Sequence, residues 1–534
     1  MPDDCTAATD TDTDEPLDSY TTGLLDELFS GSDQAPADET MAPALAALYE
    51  AARDSRDLTR PIVDFFAALL KARRDLGLSP AALGHGREAL EKLARVHAAT
   101  DEHGVTVGGR VGKALPIVTQ AGGRVAGYLA RKDDDAPSGI ELWNEIQANQ
   151  RHIRSALSMS MDDWNSFNGQ LKYAINDVDT LAKCIDLPAE AIRTVTRVTK
   201  DYRMRLTPYY ASLIVRHAPN DPVLLQSVPT AEMVDNVGEE IPPVASDHSP
   251  ARLIDQFYPR VVAVKVTNIC AMYCTHCLRI AHIGKKDRLF SKAAYAEALN
   301  YIRSNERIRD VLITGGDAFM VPNANLRWLL EELDAIDHVK VKRLGTRVPV
   351  TTPMRVNDEL LDILAASNER GPVRVVTQIN TAQEITPVSR EAFRRINGAV
   401  SAVLNQAVLL RGINDTKTKM WKLCETIHEA FVRPYYVFNC SYRNPQYTHM
   451  RVPIETGRDI IESMYGNISG DAIPRYIAAA GGKIPLHRDN LTEFKDGDAI
   501  LRRPWDGTIS VYPDAGPAYG HDEDFAFNAY EDDK

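Results

Sequence analysis

Long apolar runs are missing from this chain. No stretch in its 534 residues approaches 18 consecutive apolar positions, so a membrane-spanning helix is not expected. The first residues, MPDDCTAATD, have neither the basic nor the apolar region of a secretory signal. Cysteine is scarce: seven residues are too few for a disulfide scaffold, and an odd number suits a reducing, cytoplasmic compartment. Lysine and arginine are absent from residues 1–40, which contain twelve Asp or Glu. The formal charge of −13 therefore belongs mainly to that tail and leaves only −1 over residues 41–534. This argues against a nucleic-acid or anionic-membrane surface, but not against binding a small anion.

What is present supports a large core, since 44% of the residues are hydrophobic. Residues 1–40 read as a disordered acidic tail, serving either for docking or for solubility. Leu24, Leu25, Leu28 and Phe29 offer one short helix within it. Residues 41–135 read as an accessory helical domain, with Ile62, Phe65, Phe66, Leu69 and Leu70 at helical spacing. The segment KDDDAPSG at 132–139 reads as a linker. Residues 140–255 form a helical region and connector, with Trp143, Trp164, Leu171, Leu181 and Ile192 as expected core anchors.

From 256 to 455 the rhythm changes. Strands are predicted at 261–266, 311–313, 339–344, 373–379, 403–409 and 435–438. Amphipathic helices fall between them, among them 357–366, 390–396 and 418–431. This alternation implies an α/β fold with a parallel sheet, closed or partly closed as a (β/α) barrel behind N-terminal helical extensions. Ligand residues then belong just after strand C-termini. Residues 456–517 form a C-terminal region that carries Lys483. Residues 518–534 form a second acidic tail, in which Phe525 and Phe527 could dock.

Three cysteines cluster directly after the first predicted strand, in Cys270-Ala-Met-Tyr-Cys274-Thr-His-Cys277. A structural zinc site usually needs four protein ligands, and no fourth cysteine or partner pair follows nearby. Three thiolates on a four-iron four-sulfur (4Fe–4S) cluster would leave one iron open for a small ligand.

This CxxxCxxC spacing resembles the radical S-adenosylmethionine (SAM) superfamily. The likeness narrows to the lysine 2,3-aminomutase family through Thr314-Gly-Gly-Asp-Ala318, Asn405-Gln-Ala-Val-Leu-Leu-Arg-Gly-Ile-Asn-Asp415, Val432-Arg-Pro-Tyr-Tyr436 and Gly481-Gly-Lys483. It runs from about Trp143 to about Tyr512. The resemblance implies an isomerase that moves an amino group between Cα and Cβ, using the cluster, SAM, pyridoxal 5′-phosphate (PLP) and a reductant such as flavodoxin or ferredoxin. It also implies that the open iron holds the amino and carboxylate groups of SAM. Gly315, Gly316 and Asp317 would face its methionine part, and Gln378 stands where the family has a histidine near SAM.

For PLP, the resemblance implies a Schiff base to Lys483, with Arg355, Asn405 and Gln406 around the cofactor. The glycine run before Lys483 is shorter than in the family. Arg279 matches an arginine that grips the substrate carboxylate, although the following residues, Ile280-Ala281-His282, depart from the family pattern.

The far end of the substrate is where the chain departs most. Lysine enzymes place one aspartate after the cysteine matching Cys440 and another shortly before the PLP lysine. Here these positions hold Ser441 and the alanines of 478–480. A buried ammonium would be poorly paired there, so free lysine is not the expected substrate. Arg443 and Arg475, read as loop residues, flank those positions. Pointing inward they favour glutamate, the first guess; pointing outward they favour a small or neutral side chain. The alternatives are desaturation or epimerisation of a PLP-bound amino acid, a protein-lysine aminomutase, or a structural metal-binding interaction protein. No zinc site is expected, because no cysteine follows Cys440. A homo-oligomer is expected.

Overall fold

The structure is a computed structural model that describes residues 121–215, 220–236, 249–280, 286–441, 445–479, 482–496, 498–504 and 507–514. The chain divides into two compact units, Met1–Ala126 and Gly127–Lys534, and the described residues belong almost wholly to the second. Both acidic tails, the accessory helical section up to residue 120, and Arg443 lie outside them.

The N-terminal part of the second unit is helical. Helix α1 (Trp143–Ala156) buries Ile146, Asn149 and Ile153 on one face. Ile146 and Ile153 join Trp164, Leu181, Val195, Tyr209 and Tyr210 in one core that also receives Met272 of the cysteine loop. Trp143 packs at its edge, and Ile192 is only half-buried, because Val195 and Val198 take the inward face of their helix. Polar stitches tie this layer to the barrel. Gln383 donates to Leu213 O at 2.6 Å and to Asp221 at 2.7 Å, and Tyr209 shares a hydrogen bond with Thr386 at 2.6 Å. Buried polar groups paired in this way hold the layers in one register.

Nine strands follow one another across a single sheet in chain order. They are β1 (Ile254–Tyr258), β2 (Val261–Thr267), β3 (Asp310–Gly315), β4 (Val341–Gly345), β5 (Val373–Thr377), β6 (Ala402–Leu409), β7 (Arg433–Asn439), β8 (Arg475–Ala479) and β9 (Lys483–Pro485). Strands β2 to β8 are parallel, and β1 and β9 run antiparallel at the two edges. Valine-rich β2 is buried on both faces, as a helix-covered parallel sheet requires. The crossovers carry α2 (Lys292–Arg303), α3 (Asn323–Asp334), α4 (Asp358–Arg370), α5 (Pro387–Ala399), α6 (Lys417–Glu429) and α7 (Ile454–Glu462). Each starts where the sequence supplies a stop or a cap. Side chains of Ser291, Asn357, Thr386 and Thr416 accept from the first turns of α2, α4, α5 and α6. Helix α3 buries Leu326, Leu329, Leu330 and Leu333, spaced three and four apart.

The sheet curls far enough for its edges to meet. The Lys483 amide in β9 donates to the Tyr258 hydroxyl at the end of β1 across 3.1 Å. This is the expected partial (β/α) barrel with helical N-terminal extensions. A separate antiparallel sheet follows, of β10 (Leu491–Lys495), β11 (Asp498–Arg502) and β12 (Ile509–Pro513).

Several expectations need correction. The segment expected to be a linker at 132–139 is docked on the barrel. Asp133 accepts from Lys422 of α6 at 2.5 Å, and a Cβ on Gly139 would lie 2.5 Å from Gln383 O. Its acidic run is therefore a set of partners for a buried lysine. Arg475 is not a loop residue: it opens β8, paired with Tyr436 of β7. Edge strands β1 and β9 escaped the sequence reading because neither has the apolar run of a doubly covered strand.

Candidate active site

The strand C-termini surround one cavity of about 310 Å³. Cys270, Cys274 and Cys277 all line it, on the loop that leaves β2. That loop is fixed by backbone contacts with the turn after β3. Gly316 N donates to Thr267 O at 2.5 Å, and Asp317 N donates to Ile269 O at 2.9 Å. Such closeness tolerates no side chain: a Cβ on Gly316 would sit 2.3 Å from Ile269 O. Gly315 adds a φ of +125°, a conformation that favours glycine. The two glycines thus admit the cysteine loop itself.

Among the described residues, no three His, Cys, Asp or Glu side chains converge as a site for one metal ion. The thiols border a space instead of a point. Burial holds Cys270 well above its ordinary pKa, assisted by the Asp317 carboxylate. Burial also raises Cys277, with Cys274 adding to the effect. Binding metal there must displace protons.

Asp317 lines the cavity, but its carboxylate is engaged with backbone. Oδ1 accepts from Phe319 N at 2.9 Å and Oδ2 from Arg347 N at 2.6 Å. Burial nevertheless pushes its pKa up. Gln378 and Gln406 also line the cavity. Asn405 does not; it braces β6 against the segment after β5, exchanging hydrogen bonds with Ile379 N and O at 2.8 and 3.0 Å. Arg355 is likewise outside the lining. It is buried, and its fork donates to Phe319 O at 2.9 Å, Val321 O at 3.2 Å and Asn323 at 2.6 Å.

Arg279 lines the cavity, with Nη1 held by Thr314 Oγ1 at 2.7 Å. Ser441 and Ala479 line the wall formed by the ends of β7 and β8, near Phe438 and Cys440. Arg475 is exposed and is not part of the lining. Lys483 is the register partner of Ala479. The residue is exposed and outside the cavity lining; its Nζ lies 5.0 Å from the centre of the Tyr436 ring, and partial desolvation there is the main cause that lowers its pKa.

Sequence reasoning missed a buried polar group behind the cysteines. His276 lines the cavity and is held neutral by burial, its pKa lowered to about 3. Its Nε2 is 3.2 Å from Asn380 Nδ2, and Nδ1 has no protein partner. Arg347, two residues after β4, donates Nη1 to Cys274 Sγ at 2.9 Å. The strand-end rule that singled out Gly315 to Asp317 after β3 would have found Arg347 one βα unit later.

No helix among the described residues is long and apolar enough to cross a membrane. Residues 264–427 match the Radical SAM superfamily profile. The chain is 39% identical over 375 residues to the glutamate 2,3-aminomutase of Clostridioides difficile, covering 70% of this chain and 88% of that relative. It is 35% identical to the L-lysine 2,3-aminomutase of Methanococcus maripaludis over 362 residues, 66% of this chain and 82% of the relative. The enzyme of the same name from Clostridium subterminale is 35% identical over 355 residues, 66% and 84% of the two chains. A three-thiol cavity at the strand ends of a partial barrel, with likeness running over two-thirds of the sequence, places the chain in the lysine 2,3-aminomutase family of radical SAM enzymes, isomerases that use a 4Fe–4S cluster, SAM and PLP.

Proposed function

We propose that this protein is a 2,3-aminomutase for a free α-amino acid whose side chain carries no positive charge. One observation carries the substrate reading. Among the described residues, the wall built by Phe438, Cys440, Ser441 and Ala479 offers no carboxylate to a cationic side chain. An ammonium buried against it would lose its hydration without an anionic partner. Arg475 stands outside the lining, which favours an uncharged side chain. The relative named for glutamate favours an acidic one.

The cavity lining fits the cluster and SAM of the family. Three thiols share one cavity, and His276 Nδ1 and Arg347 Nε are buried there without protein partners. In this reading Cys270, Cys274 and Cys277 hold the cluster, while Gly315, Gly316, Asp317 and Gln378 border SAM. Lys483 carries PLP, with Gln406 beside it. Arg355 and Asn405 act on the cofactor region through the backbone they brace. When bound, these groups supply the radical that removes hydrogen from Cβ and the carbonyl carbon that carries the migrating nitrogen.

The chain's own residues bind and orient. Arg279, steadied by Thr314, holds the substrate carboxylate. Lys483, with its lowered pKa, presents an amine that is neutral more often than an ordinary lysine. The cavity walls shield a reactive radical from water. A homo-oligomer belongs to this proposal, supported by the exposed Phe494, Val511 and Tyr512 of the β10–β12 sheet.

An anaerobic screen of free amino acids with reductant, SAM and PLP tests the reading. An isomer of unchanged mass with nitrogen on Cβ is the expected product. Loss of two hydrogens would indicate desaturation, and inversion at Cα epimerisation. Lysine as the best substrate would overturn the reading of the wall.

A further inference from the structure

The guanidinium of Arg347 is held among four acceptors. Nη1 is 2.9 Å from Cys274 Sγ, and Nη2 is 2.6 Å from Glu384, 2.9 Å from Gln226 and 3.2 Å from the Tyr210 hydroxyl. The residue is 9% exposed and Glu384 is fully buried. Glu384 cannot turn away, since its second oxygen accepts from Asn380 N at 2.8 Å and closes the capping box begun by Thr381. Main-chain N of Arg347 is meanwhile tied to Asp317 at 2.6 Å. Burying an arginine and a glutamate together costs desolvation, and an apolar pair of the same volume would pack more cheaply. The sulfur contact gives the pair something an apolar pair could not.

We propose that Arg347 is a positioning residue that raises the reduction potential of the cluster through Cys274, with Glu384 setting how far. The inference rests on the reading that the three cysteines hold a 4Fe–4S cluster. Reduction adds one electron from an external reductant and makes or breaks no bond. The reduced cluster is more negative, so a hydrogen bond and a cation at one thiolate stabilise it over the oxidised form. Glu384 opposes that field, and neutralising it strengthens the effect. Arg347 also holds the Cys274 thiol, one of the three that would bind the cluster, in place.

The test compares full-length wild type with Arg347→Gln, Arg347→Lys and Glu384→Gln, each reconstituted anaerobically. Iron and sulfide are counted first, and midpoint potentials are then read by EPR during dithionite titration without SAM. Arg347→Gln should shift the potential to more negative values, Arg347→Lys should shift it less, and Glu384→Gln should move it positive. Unchanged potentials in variants that keep their iron would overturn the inference. Should Arg347→Gln fail to take up iron, Glu384→Gln decides alone, because it retains the arginine. Should both fail, pulsed EPR of wild type grown on isotope-labelled arginine decides: nitrogen coupling to the reduced cluster supports the contact, and its absence overturns it. A wild type that takes up no iron would instead sink the cluster reading beneath it.

Discussion

Lys483 and Ala479 face each other across the β8–β9 pairing, and only the alanine lines the cavity. The lysine turns its ammonium to the Tyr436 ring, 5.0 Å from its centre. Pairing and ring together set where a carbonyl compound can meet the amine. Borohydride trapping with PLP should label Lys483, and Lys483→Ala should abolish the label and turnover.

Lys483 should also titrate apart from surface lysines. Its pKa is lowered, first by partial desolvation and then by the Arg343 charge. The neutral, reactive amine therefore appears at lower pH than the ordinary value of about 10.4. Labelling followed by peptide mass spectrometry should show its rate rising and levelling before that of exposed lysines. A profile coincident with theirs would count against the lowered pKa.

Replacing any of Cys270, Cys274 and Cys277 by alanine should remove most bound iron and abolish deoxyadenosine formation from SAM. Iron analysis and product assay on the same preparation check both.

Substituting Ser441→Asp together with Ala479→Asp should add the missing anions to the wall. Lysine turnover, as kcat/KM relative to the native substrate, should rise by roughly tenfold or more, the yield of about 1.4 kcal/mol of differential binding. No gain would mean that the side chain lies elsewhere.

Lys422 is buried, with Asp133 at 2.5 Å and Glu141 at 2.6 Å. Lys422→Met should cost about 1–2 kcal/mol, the low end for a broken pair because Asp133 is partly hydrated. The Asp133 carboxyl is held low, mainly by its bond to Lys422, and hydrogen bonds to both acids outweigh burial to raise Lys422. That contribution is present above the usual carboxylate value of about 3.9 and fades as pH falls through the lowered one. On the alkaline side it is complete below about 10.4 and is lost as pH rises through the raised lysine value. Denaturant melts at several pH values, wild type against variant, read the difference.

Much of this is legible in the sequence. Doubly buried parallel strands are rich in valine and leucine, so β2 to β6 stood out, the aromatic run of β7 marked the next, and the cysteine spacing identified the loop after β2. The rest lay in pairings that no local pattern carries. Arg355 and Asn405 look like ligand residues in a motif, yet backbone carbonyls and amides of neighbouring loops take up their donors and acceptors. The acidic run at 132–139 resembles a solvated linker until Lys422, almost three hundred residues later, supplies its partner. Arg347 is marked in the sequence only by its place after a strand end, and its contacts show only when Cys274 and Glu384 stand on either side of it.

Because the strands join the sheet in chain order, the cavity wall opens with Cys270 and is completed only by Ala479. A ribosome adding about 5–20 residues per second needs roughly 10–40 s to cover that interval of some two hundred residues. Throughout it, the three thiols have left the ribosome without the last strands that enclose them. They are open during that time to oxygen and to stray metal ions. The yield of active enzyme should therefore depend on how anaerobic the cell is while the protein is being made.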